Sequence, residues 1–184
     1  MKLHFYQPLK SGFTLLEFVL YIGLTAAILI SLLSFTWNIL QNYAKTTTLI
    51  EVNNNGNFAL EQMVYYTRRA STIGSGTVYT THPGKLTLTF PTDPTVTIDT
   101  YQKNITVGDT PLTITKLRLQ HGSTTPTDIT SDKIQVTNFT LTNLTNNSLP
   151  TIRFSLNLQA VNPSNSTFYE AEKTFITSAT LRAQ

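Results

Sequence analysis

The feature that most constrains this chain is an apolar run from Phe13 to Trp37 that contains one charged side chain, Glu17. From Phe18 onward its polar residues are Ser, Thr and Tyr. A helix rises about 1.5 Å per residue, and a bilayer core of about 30 Å needs about 20 apolar residues, so the run is long enough to span. It has no Pro and a single Gly, Gly23, and nothing in it strongly breaks a helix. A secretory signal peptide would have a shorter apolar core followed by a small-residue cleavage site. Ala26 and Ala27 are small, but Ile28, Leu29 and Ile30 follow them, which disfavours cleavage there. Lys2 and Lys10 precede the run and place its leading end in the cytoplasm, so the chain from Asn38 onward is expected outside. Phe35 and Trp37 fall near the outer boundary, where aromatic side chains anchor at the interface.

Glu17 is expensive in this setting. A carboxylate near the end of a membrane helix costs about 1–3 kcal/mol unless it is paired or reaches the interface. One reading leaves it solvated at the cytoplasmic boundary. The other pairs it with a cation from a partner, because no Lys or Arg lies between Lys10 and Lys45.

The stretch Gly12-Phe13-Thr14-Leu15-Leu16-Glu17 with its apolar tail resembles the cleavage and methylation motif of type IV prepilins and pseudopilins. The resemblance implies that a membrane-embedded prepilin peptidase cuts between Gly12 and Phe13 and N-methylates Phe13. It also implies that Glu17 neutralises the charged N-terminus of a neighbouring subunit during assembly, which would supply the missing cation and set the register between subunits. Two positions depart from the pattern. Ser11 stands where the family more often has Lys or Arg, and Ser34 where many major pilins have a kinking Pro. The second departure, with the absence of cysteine, points to a minor pilin or pseudopilin. The specific match covers about residues 10–35.

The order of pieces follows from periodicity. Residues 1–12 read as a leader, 13–40 as the membrane and fibre-core helix, 41–73 as its amphipathic continuation, and 74–184 as a β-rich domain. In the continuation Leu49, Val52, Gly56, Ala59 or Leu60, Met63 and Tyr66 recur at three- to four-residue spacing. Asn53-Asn54-Asn55-Gly56 is a poor helical segment, and a break or kink is expected near it. Arg68 and Arg69 suit the final turn, and Gly74 reads as a stop. Alternation then predicts strands over 85–90, 96–101, 112–119, 134–141, 151–160 and 168–181, with turns at 104–111, 143–150 and 162–165 and a loop over 121–132. A long helix followed by antiparallel strands is an α+β layout; the resemblance to pilins implies that the second half of the helix packs on the sheet.

Composition excludes several functions. Zero cysteines rules out disulfides, thiolate metal sites and a Cys nucleophile. Of the 184 residues only 12% are charged. Removing Lys2 and Lys10 with the leader leaves 11 basic and 10 acidic side chains, a net charge of +1, which gives no electrostatic case for nucleic-acid binding. His4, His82 and His121 are scattered and form no spaced ligand set. Asp93, Asp99, Asp109, Asp128 and Asp132 lie mostly in or beside turns, where Asp bonds locally; Asp128 and Asp132 as a Ca²⁺ site is the weaker alternative. Arg68, Arg69, Lys116 and Arg118 read as a helix end and an exposed strand face. Tyr65 and Tyr66 read as helix-on-sheet packing, with base stacking as the alternative. Asn-x-Ser/Thr at Asn104, Asn138, Asn143, Asn146 and Asn165 reflects composition in an Asn- and Thr-rich chain.

No nucleophile–base or cofactor constellation assembles, so no enzyme and no cofactor is expected. The leading expectation is a structural filament subunit of a bacterial type IV pilus (fimbrium) or a type II secretion-like machine. Its partners would be prepilin peptidase, other pilin or pseudopilin subunits, an inner-membrane assembly platform and the membrane, with nucleic acid disfavoured. It would sit as a single-pass inner-membrane protein before joining a surface or periplasmic filament. The alternatives are a pilus-tip module that binds DNA, a surface or a secreted substrate, and an uncleaved single-pass anchor displaying a β-domain.

Overall fold

The computed structural model describes Gly12 and residues 14–145 and 149–182. The expected leader as far as Ser11, Phe13, and Asn146 in the expected 143–150 turn lie outside the described residues. One helix, α1 (Leu15–Arg69), opens the fold. Thr14 caps it: its Oγ1 accepts from the Glu17 backbone N–H at 3.2 Å, and its carbonyl accepts from Phe18 N–H at 3.1 Å. Thr14-Leu15-Leu16-Glu17 is thus a Thr-x-x-Glu start signal, satisfying one of the four donors that a helix N-terminus leaves open. Arg68 and Arg69 occupy the last turn, where positive charge suits the dipole.

The chain divides between Asn42 and Tyr43 into two compact units. In the first, every residue from Leu15 to Leu40 is exposed. In the second, α1 buries Val52, Gly56, Ala59, Met63 and Thr67, one stripe at three- to four-residue spacing. No break occurs at Asn53–Gly56, because tertiary contacts outweigh the weak propensity of these residues. Asn55 Nδ2 donates to the Glu51 carbonyl at 2.8 Å, and its Oδ1 accepts from Ser131 N–H at 2.7 Å. Asn53 Oδ1 accepts from Lys173 Nζ at 2.6 Å. Gly56 lies flush against the Phe175 ring, which a Cβ would overlap. Glycine is present for close approach here and does not end the helix.

Eight strands follow: β1 (Thr72–Ile73), β2 (Lys85–Thr89), β3 (Val96–Val107), β4 (Thr110–His121), β5 (Thr127–Asp128), β6 (Ile134–Asn143), β7 (Thr151–Ala160) and β8 (Glu172–Thr180). They form two antiparallel sheets, β1-β2-β3-β4-β5 and β6-β7-β8. The expected turn over 104–111 is instead the end of a long hairpin, in register from Val96↔His121 to Val107↔Thr110. Only Gly108, at φ 61°, and Asp109 turn the chain. Asn104, expected in the turn, accepts at its Oδ1 from Thr113 Oγ1 across the ladder at 2.8 Å. β1 and β5 have two residues each, too few to show a period. β8 starts at Glu172, four residues after the expected Phe168, because turns at 163–169 precede it.

One apolar core joins α1 to both sheets, with Met63, Leu88, Ile98, Leu117, Phe139 and Phe154 almost fully buried. The arrangement is the α+β layout expected of a pilin-like subunit, with the second half of the helix packed on antiparallel sheets. The edge of β6 away from β7 is covered by the segment Thr80–Gly84. Thr80 and Gly84 N–H groups donate to the Leu141 and Phe139 carbonyls at 2.8 Å each, and Phe139 N–H donates to His82 Nδ1 at 3.0 Å.

Candidate functional site

The N-terminal stretch comes first because its residues carry the functional expectation. Gly12 is exposed and precedes the helix cap. A Cβ built on it meets nothing within 4 Å, so no packing among the described residues requires a glycine there. Phe13, the other half of the expected scissile bond, is outside the described residues. Glu17 stands exposed in the first turn of α1, and no hydrogen bond or ion pair engages its carboxylate among the described residues.

The helix beyond Glu17 is suited to an apolar medium. It is long and apolar enough to cross a membrane, which is compatible with a single-pass anchor. Four of its short polar side chains are turned back on the backbone. Thr25 Oγ1 donates to the Tyr21 carbonyl at 2.6 Å, Ser31 Oγ to Ile28 at 2.8 Å, Thr36 Oγ1 to Leu32 at 2.9 Å, and Asn38 Nδ2 to Ser34 at 2.9 Å. No water is then needed to satisfy the three hydroxyl donors. Phe35 and Trp37 are exposed at the far end of this stretch.

Asp128 and Asp132, expected to serve turns, instead close an ion-pair cluster with two lysines of the β3–β4 hairpin. Lys116 Nζ lies 2.9 Å from Asp128 Oδ2 and 2.5 Å from Asp132 Oδ1; Lys103 Nζ lies 3.2 Å and 3.0 Å from the same two groups. Tyr101 adds a hydrogen bond to Asp128 Oδ1 at 2.6 Å. Burial pushes the Asp128 carboxyl up, but the hydrogen bonds from Tyr101, Lys116 and Lys103 outweigh it, and the group titrates below its usual range. Hydrogen bonds from Lys116 and Lys103 likewise hold Asp132 low. The hydrogen bonds to Asp132 and Asp128 hold the Lys103 ammonium above its usual value. Two ammonium groups thus lie against these carboxylates, which are paired within the chain.

Lys116 was expected on an exposed strand face, yet its side chain is 2% exposed. The signal available in the sequence was its phase: Lys116 follows Leu112 and Ile114 at two-residue steps, on the side of β4 that the cluster covers. Arg118 pairs with Asp99, Nε to Oδ1 at 2.6 Å. Neighbouring Ser131 ties the same segment to α1, donating to Asn55 through its N–H and to Glu51 Oε1 through its Oγ at 3.0 Å.

His121 packs against α1, and His82 accepts the main-chain hydrogen bond from Phe139. Tyr66 stands edge-on to His121, ring centroids 5.3 Å apart, with its OH 3.2 Å from Nε2. Tyr65 is half exposed and bonds the Arg69 guanidinium. Among the described residues no group of three His, Asp or Glu side chains is placed to hold a metal ion. Comparison with protein-family models, curated proteins and solved structures returns no match.

Proposed function

We propose that this chain is a prepilin-like structural subunit: a minor pilin or pseudopilin, inserted in the inner membrane and then assembled into a pilus or secretion-type filament through its N-terminal helix. The observation that carries this reading is one juxtaposition. Gly12-Phe13-Thr14-Leu15-Leu16-Glu17 stands at the start of a helix exposed from Leu15 to Leu40, and Glu17 is the sole charged side chain in that exposed stretch. An uncovered apolar helix of this length needs lipid or other apolar helices around it. A free carboxylate in its first turn needs a cation once water is removed. A neighbouring subunit that begins at Phe13 offers both, with its own apolar helix and its N-terminal ammonium. Thr14 lies downstream of the proposed cut, so cleavage leaves the helix cap in the mature chain.

In this reading prepilin peptidase cleaves after Gly12 and methylates Phe13. An inner-membrane platform then extracts the subunit, with the β-rich unit on the outer side. The open environment of Gly12 supports its role as a residue read by the peptidase. The test is co-expression with and without an active prepilin peptidase. The chain is expected to shorten when the enzyme is present, and Gly12→Trp is expected to keep its leader. Normal shortening of the Gly12→Trp chain would remove the proposed site. No shortening of the wild-type chain would leave a plain membrane anchor carrying a β-domain.

A further inference from the structure

The two edges of the β6-β7-β8 sheet are treated differently. The β6 edge is covered by Thr80–Gly84 through the main-chain bonds described above. The outer edge of β8 receives no main-chain hydrogen bond from any described residue. Beside that edge runs an open groove of about 580 Å³, formed by Leu60, Val64 and Tyr65 of α1 with Thr177 of β8. Leu60 and Val64 are half-buried against the core from one side only. Ile176, on the face of β8 opposite Thr177, is 64% exposed. A strand laid along β8 would take up the open backbone groups and cover Leu60 and Val64 on the groove side.

Charge marks one end of the groove. Arg68 and Arg69 line it and also line an adjoining pocket of about 300 Å³, whose third cation is Arg182, two residues past β8. Three of the chain's five arginines therefore meet at one place. Arg69 reaches Asp93 at 3.6 Å, whereas neither Arg68 nor Arg182 has an ion-pair or hydrogen-bond partner among the described residues. The other carboxylate along the groove is Glu61, two helical turns before Arg68. Arg118, by contrast, is fixed by Asp99. Unpartnered guanidinium groups beside an open strand edge suit carboxylates carried on an extended chain.

We infer that the β8 edge, roofed by Leu60, Val64 and Tyr65, is a docking site for an extended acidic polypeptide segment of a partner protein. The segment adds as a fourth strand, and its carboxylates engage Arg68 and Arg182. The inference uses residues of the second unit alone and does not rest on the filament reading.

The test uses the full chain in detergent micelles and fluorescence anisotropy with three probes. The first is a ten-residue Thr/Val/Ile peptide with Glu and Asp at both ends. The second is its Gln/Asn counterpart, and the third is a ten-nucleotide single-stranded DNA. Saturable binding of the acidic peptide is expected, weakened about tenfold by the Gln/Asn exchange and by Arg68→Gln with Arg182→Gln. N-methylation of alternate peptide nitrogens along the edge meant to pair with β8 is expected to abolish it. Both arginines are exposed, so the variant should unfold at the wild-type denaturant concentration, which is measured alongside. Acidic-peptide binding that is absent, indifferent to the arginine changes or indifferent to N-methylation would overturn the inference. DNA binding at these arginines in place of the peptide would also overturn it.

Discussion

At Lys116 an ammonium with 2% of its side chain exposed is held between two carboxylates, and neither partner is fully buried: Asp128 is 29% and Asp132 54% exposed. Removing Lys116 takes away the most buried partner of both carboxylates but leaves Lys103 paired with them. Lys116→Ala is therefore expected to destabilise the fold by about 1–3 kcal/mol, read as a lower urea midpoint with little change in slope. Lys103→Ala, at the wetter side of the same cluster, is expected to cost clearly less. The cluster also sets a pH response. Asp128 and Asp132 titrate below the ordinary carboxylate range when folded and return to it on unfolding, so the unfolded chain binds more protons as acid is added. Their contribution is complete above the usual carboxylate pKa of about 4 and is lost as the pH falls through the folded values. Asp128→Asn with Asp132→Asn should flatten the loss of stability below about pH 4 while lowering stability at pH 7. At the other end of the chain, Glu17→Ala is expected to spare membrane insertion and impair incorporation into filaments. Equal incorporation of the variant and wild-type chains would remove the pairing role.

The elements show how far a sequence pattern reaches. The 3.6-residue spacing of Val52, Gly56, Ala59 and Met63 places the buried stripe of α1, and two-residue alternation finds β2 and β7 over their full length, most of β4 and β6, and the first half of β3. What the pattern misses depends on residues far apart in the chain. Asn53–Gly56 reads as a break because the groups that hold it helical, Ser131, Lys173 and Phe175, are supplied by later elements. The hairpin extends through Asn104 to Val107 because each strand completes the other's ladder, which neither strand shows alone. The site divides along the same line. Gly12 through Glu17 are contiguous and could be read directly. The lysine–aspartate cluster joins positions 12 to 29 residues apart and could not. Close packing at Gly56 yields a test. Gly56→Ala places a methyl group into the Phe175 ring and is expected to cost about 1–3 kcal/mol. Adding Phe175→Leu should recover part of that loss, a coupling that a helix-propensity effect would not produce.

For the molecule as a whole, the central fact is that its two units solve burial differently. The second, from Tyr43 onward, closes its own core. The first leaves Leu15 to Leu40 entirely exposed, although this is the most apolar part of the chain. Such a surface is stable only inside a bilayer or against other apolar helices. The prepilin reading supplies both in sequence, the membrane before assembly and neighbouring subunits after it. That reading depends on the chain being cut at one bond. The most direct measurement is therefore the intact mass and N-terminal residue of the protein isolated from its native cell membrane. A chain beginning at N-methylated Phe13 is the predicted result. A chain beginning at Met1, in cells with an active prepilin peptidase, would contradict it.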